Sequence, residues 1–129
     1  MNGRYLLDTN IVVALFRAEL TVREKVSQSH RLYVSVVVVA ELYYGALASR
    51  QAALNLQRIH QFIAASVVLP SDLETARQYS EIKIALRTAG KPIPDNDIWI
   101  AAAARQHGLP LVSRDGHFTS IAGLSSELW

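Results

Sequence analysis

Arg4-Tyr5-Leu6-Leu7-Asp8-Thr9-Asn10-Ile11-Val12-Val13-Ala14-Leu15-Phe16, residues 4–16, sets out the architecture in miniature. The apolar run Tyr5 to Leu7 stops at Asp8, and the polar pair Thr9-Asn10 opens a second apolar segment. Ile11, Val12, Leu15 and Phe16 recur at helical spacing, so Arg4 to Asp8 reads as a short buried strand. A helix capped by Asn10 follows it directly. Asp8 sits at the joint, where a carboxylate beside buried apolar surface is costly unless something compensates its charge.

The same order recurs downstream. A short helix is expected over Thr21 to Ser29, and Leu32 to Val36 is a strand of β-branched and aromatic residues. It flows into a helix from about Val38 to Ala48, whose apolar sequence Glu41 interrupts. Residues 51–65 form another helix, with Leu54, Leu56, Ile59, Phe62 and Ile63 marking its buried side. Val67 to Leu69 is a third strand ended by Pro70, and Ser71 with Glu74 has the pattern of a capping box. The following helix carries Leu73, Ala76, Tyr79, Ile82 and Leu86, and Gly90 stops it. After the loop Lys91 to Pro94, Asp95 to Gln106 is a helix apolar nearly all round and therefore mostly buried. Leu109 to Ser113 is the fourth strand, and Leu124 to Trp129 adds a fifth.

Alternating helices and nearly continuous apolar strands predict a single α/β domain over residues 1–129. Its architecture is a three-layer α/β/α sandwich with a central parallel sheet of four to five strands. The chain has 129 residues, half of them hydrophobic, enough for one core and too apolar for a disordered chain. It has no cysteine, which excludes disulfides, thiolate metal sites and cysteine nucleophiles. His30, His60, His107 and His117 lack the close pairing of a zinc-binding helix. No targeting segment is visible and no apolar stretch approaches a membrane span, so a cytoplasmic protein without membrane contact is expected.

Four carboxylates, Asp8, Glu41, Asp97 and Asp115, stand where apolar runs begin or end. In a parallel sheet the ligand sits beyond the carboxyl ends of the strands. Asp8 and Asp115 fall there, and Glu41 and Asp97 fall in the first turns of the expected helices. Asp8 alone reads equally well as a cap, and Asp115 alone reads better as a turn residue. Glu41 is the hardest to explain without a function, because a buried unpaired carboxylate costs several kcal/mol. Asp97 is preferred to Asp95, which is expected as a cap or outer helper.

The set carries the argument. Two carboxylates about 4 Å apart repel by roughly 4 kcal/mol at an effective dielectric near 20. Four around one pocket call for a cation, and hard oxygen ligands select Mg²⁺ or Mn²⁺. Net charge is +2, but with these four set aside thirteen basic residues face seven acidic ones, giving +6. That balance suits a polyanionic substrate, with Lys83, Arg87 and Lys91 as candidate phosphate contacts, although a solvated charged face explains them more simply.

Leu7-Asp8-Thr9-Asn10, Ala40-Glu41-Leu42-Tyr43-Tyr44-Gly45, Asn96-Asp97-Ile98-Trp99-Ile100-Ala101-Ala102 and Leu111-Val112-Ser113-Arg114-Asp115 follow in an order and spacing that resemble a PIN-domain ribonuclease, specifically a VapC-type toxin. His117-Phe118 also fits, and the resemblance spans essentially the whole chain. It implies a PIN-like fold and metal-dependent hydrolysis of RNA by the quartet Asp8, Glu41, Asp97 and Asp115, holding Mg²⁺ or Mn²⁺. On that reading Asn10 and Ser113 orient the ligands, Ser113 standing where the family often has Thr. The resemblance also implies homodimers and inhibition by a cognate VapB-like antitoxin. Two alternatives stand beside it: an Mg²⁺-dependent phosphoryl-transfer domain with an aspartate nucleophile, and a catalytically inactive binding module. The first usually has further acidic partners beside its nucleophile, where this chain has Thr9-Asn10 after Asp8.

Overall fold

The computed structural model describes residues 3–129. The chain runs β1 (Arg4–Leu7), α1 (Thr9–Phe16), α2 (Leu20–Gln28), β2 (Arg31–Ser35), α3 (Val36–Leu47), α4 (Ala52–Ala64), β3 (Val67–Leu69), α5 (Leu73–Thr88), α6 (Asp95–His107), β4 (Leu111–Val112) and β5 (Ser126–Glu127). A 3₁₀ turn, Gly116–Ser120, lies between the last two strands. The five strands form one parallel sheet in the order β3-β2-β1-β4-β5. Leu6 is paired with Tyr33 on one side and Leu111 on the other. Helices cover the sheet to complete an α/β/α sandwich, with α5 against α6 and α3 against α4.

Strand composition follows from this placement. Leu6, Leu7, Val34, Leu111 and Val112 have no exposed surface, as expected for inner strands covered on both faces. Ile11, Val12, Val38 and the alanines 101–104 fill the space between sheet and helices. Ala101 to Ala104 are all buried, since their small side chains let α6 approach closely on several faces.

The chain enters at the centre of the sheet, builds β2 and β3 to one side, then returns to place β4 and β5 on the other. The reversal falls between β1 and β4, and open parallel sheets bind ligands in the crevice at such a reversal. Asp8 follows β1, and the segment Ser113 to Asp115 follows β4.

Several local expectations are corrected. Asp8, not Asn10, caps α1, its Oδ1 accepting from Thr9 N at 2.8 Å. Ser35 caps α3 by accepting from Val38 N at 3.2 Å, so the helix begins at Val36 and Glu41 lies in its second turn, not its first. The capping box of α5 uses Asp72 and Thr75 instead of Ser71 and Glu74. Leu54 and Leu73 are 43% and 90% exposed. Leu73 is nine residues before the buried Ile82, which at about 100° per residue puts it on the opposite face of α5. Leu54 is turned about 140° from the buried Ile59 on the same count.

Candidate active site

Each acidic side chain reaches the crevice by a different route. Asp8 leaves the end of β1 and is 5% exposed. Its Oδ2 accepts from the Ser113 hydroxyl at 2.7 Å, which ties the ends of β1 and β4 together. Ser113 Oγ also accepts from Asp115 N at 3.0 Å and from Asn10 Nδ2 at 3.4 Å. Asn10 Oδ1 in turn accepts from Arg114 N at 3.3 Å. Asn10 and Ser113 therefore fasten the loop carrying Asp115 to the start of α1.

Glu41 projects from α3 and is gripped from both sides. Oε1 accepts from the Thr9 hydroxyl, and Oε2 accepts from the Asn96 side-chain amide. Asp97, in the first turn of α6, has its Oδ2 3.1 Å from His117 Nδ1. The same nitrogen lies 3.1 Å from Asp115 Oδ1. Asp97, Asp115 and His117 each offer a ligand atom, all within 4.8 Å of one another. Asp8, Glu41 and Asp97 line one cavity of about 440 Å³, whose rim includes Arg17, Glu19 and Arg114. An apolar groove of about 430 Å³ continues from Thr9 and Glu41 between α1, α3 and α4.

Asp95 lies outside this constellation. Its Oδ1 is 3.0 Å from both Lys83 Nζ and Tyr79 OH on α5. It does not cap α6 either, since Pro94 occupies that position without a side-chain bond. Lys83 holds the Asp95 carboxyl below its ordinary value, with help from Tyr79. The proposed phosphate contact Lys83 is thus spent on an exposed ion pair.

The site pulls the other way on its own acids. Burial pushes the Asp8 carboxyl above its ordinary value, and the charges of Asp97 and Glu41 add to the rise. Hydrogen bonds from Ser113 and Thr9 oppose it without cancelling it. Asp97 is also raised, first by burial and then by Asp115 and Glu41, against the lowering contact with His117. Acids raised by burial and mutual repulsion are a setting in which a nearby positive charge would favour ionisation. Carboxylate oxygens supplemented by an imidazole nitrogen are a donor set that fits a divalent cation.

Thr9, Asn96 and His117 escaped the sequence reading as working parts. Thr9 and Asn96 adjoin recognised acids, but their shared partner Glu41 is 32 and 55 residues away. His117 was visible only as half of the pair His117-Phe118.

A parallel α/β sheet whose switch-point crevice gathers Asp8, Glu41 and Asp97, with Asp115 beside Asp97, has the form of an acidic-site hydrolase. A model of the PIN domain matches residues 5–124. Ribonuclease VapC2 of Haemophilus influenzae is 38% identical over 129 residues, covering 98% of each chain. The tRNA(fMet)-specific endonuclease VapC of Shigella flexneri is 32% identical with the same coverage. The structure of VapBC2 from Rickettsia felis bound to a DNA fragment from their promoter superposes with a TM-score of 0.91 at 26% identity, over 98% of both chains. The chain belongs to the PIN-domain family, among its VapC ribonucleases.

Proposed function

We propose that this chain is a metal-dependent endoribonuclease acting as the toxin of a toxin–antitoxin pair. The observation that carries the proposal is that Asp8, Glu41 and Asp97 line one crevice at the switch point of a VapC-like fold, with Asp115 beside Asp97. Full-length similarity to VapC ribonucleases supports RNA as substrate. The likeness to VapBC2 supports a VapB-like antitoxin as partner, and the resemblance adds a homodimer.

Asp8, Asp97 and Asp115 would hold Mg²⁺ or Mn²⁺. Such an ion supplies an activated water and neutralises charge on the phosphoryl oxygens. Ser113 fixes the Asp8 carboxylate and the backbone before Asp115, so both present constant geometry. Thr9 and Asn96 hold Glu41 where it can orient a water or accept its proton. Arg17 in the same cavity lining offers positive charge to the flanking RNA backbone, whereas Arg114 is paired with Glu19 at 2.8 Å.

The phosphoryl-transfer alternative is not favoured. Both Asp8 oxygens accept hydrogen bonds, from Thr9 N and from the Ser113 hydroxyl, which suits a fixed ligand better than an attacking nucleophile. An inactive binding module is not favoured either, because the full carboxylate set is present.

Purified protein should cleave RNA, including initiator tRNA, with Mg²⁺ or Mn²⁺. Chelator or Asp8→Asn should abolish cleavage. Cleavage that persists in either case would overturn the proposal.

A further inference from the structure

His117 stands at the carboxylate cluster beside Asp97 and Asp115, with no role in the proposed cleavage. Its Nδ1 stands 3.1 Å from Asp97 Oδ2 and 3.1 Å from Asp115 Oδ1. Those spacings have two physical readings. They are ordinary hydrogen-bond lengths. They also match the ~3.0 Å that separates neighbouring donors around a six-coordinate cation bound at ~2.1 Å.

The backbone supports the second reading. His117 N donates to Asp115 Oδ1 at 3.0 Å, fixing residue 117 relative to the carboxylate. The next residue, Phe118, is 1% exposed and anchors the 3₁₀ turn in the core. The imidazole is therefore presented by an anchored turn, yet its side chain is 44% exposed and open to an arriving ion. Asp97 approaches from α6, on a separate part of the chain. Three donors from two independently anchored segments are already assembled within 4.8 Å.

We propose that His117 is a direct nitrogen ligand of the divalent cation and makes this site prefer Mn²⁺ to Mg²⁺; the inference rests on the metal-nuclease reading. Mg²⁺ favours oxygen donors and holds its waters tightly, whereas Mn²⁺ accepts imidazole alongside carboxylate and lies on the nitrogen-binding side of the divalent series. Replacing one oxygen position by nitrogen costs Mg²⁺ more than it costs Mn²⁺. The sequence argued against a histidine-paired zinc helix, and that stands. The site proposed here adds one histidine to the aspartates.

The test is direct binding to the full chain, independent of RNA cleavage. Pulsed EPR of the Mn²⁺-loaded protein should show nitrogen coupling, and His117→Ala should remove it while leaving the circular dichroism spectrum unchanged. Competition titrations should show Mn²⁺ affinity falling by about tenfold or more in His117→Ala, with Mg²⁺ affinity changing far less. Saturable Mn²⁺ binding without nitrogen coupling, or an unchanged preference between the ions in His117→Ala, would overturn the role of His117 alone. No saturable Mn²⁺ binding in the unmodified protein would overturn the metal-site reading together with it.

Discussion

Burial of Asp97 beside Asp115 and Glu41 fixes the sign of a stability measurement. Its folded pKa lies above the ordinary 3.8, so the native chain holds this proton more tightly than the unfolded chain does. The associated stability is present at low pH and is lost as pH rises through the folded value. Asp97→Asn removes the loss. Without divalent cations, the variant should melt a few degrees higher than the unmodified protein at neutral pH. The difference should shrink as pH falls toward 3.8. A variant less stable at neutral pH would contradict the assignment. A second prediction concerns Asn96, whose amide holds Glu41 from α6. Asn96→Ala should lower the cleavage rate by about tenfold while shifting the melting temperature little. A rate equal to that of the unmodified protein would show that Glu41 does not depend on this grip. Asp8, Glu41, Asp97 and Asp115 were legible because each interrupts or bounds an apolar run. Choosing between Asp95 and Asp97 was not a matter of local sequence. α6 is apolar around most of its surface, so its pattern does not fix the rotation of the helix against the sheet. The two aspartates lie about 200° apart on that helix, and packing turns one to the cluster and the other to Lys83.

The connection between α1 and α2 is a tight corner in which Ala18 has φ 59°. An L-residue in this left-handed region costs about 1–2 kcal/mol, while glycine adopts it readily. The corner sets Arg17 and Glu19 on the rim of the crevice, so strain here supports the entrance to the site. Ala18→Gly should raise the urea midpoint, corresponding to a net gain of about 0.5–1 kcal/mol once glycine's unfolded-state freedom is subtracted. A lower midpoint would mean that the methyl group is needed by the packing. All five strands and all six helices were readable from apolar runs and periodicity. Boundaries were less so, because the caps depend on which polar side chain can reach which backbone N–H. Ser35 and Asp72 take the cap positions by adopting extended backbone with the side chain folded back. Neighbouring Ser71 and Glu74 offered the same chemistry in sequence and do not occupy that geometry.

For the molecule as a whole, repulsion among converging acids and binding of a cation are two sides of one linkage. A cation that binds only the native state stabilises it by about 2.7 kcal/mol at one hundred times its dissociation constant. Mn²⁺ should accordingly raise the melting temperature of the unmodified protein by several degrees, and Asp97→Asn should lose most of that response. An equal rise in both proteins would place the ion elsewhere. The α/β/α architecture was legible from alternation alone. The pairing order of the strands was not, since each is short and apolar, and no local signal says whether β4 docks beside β1 or beyond β3. That order is what brings residue 115 to residue 8.

Because β4 docks directly against β1, that strand keeps one edge open until the segment after α6 has been made. The proposed donors come from residues 8, 41, 97 and 115, so a growing chain carries no complete centre before the segment that follows β4 has folded. Synthesis itself thereby delays the birth of activity.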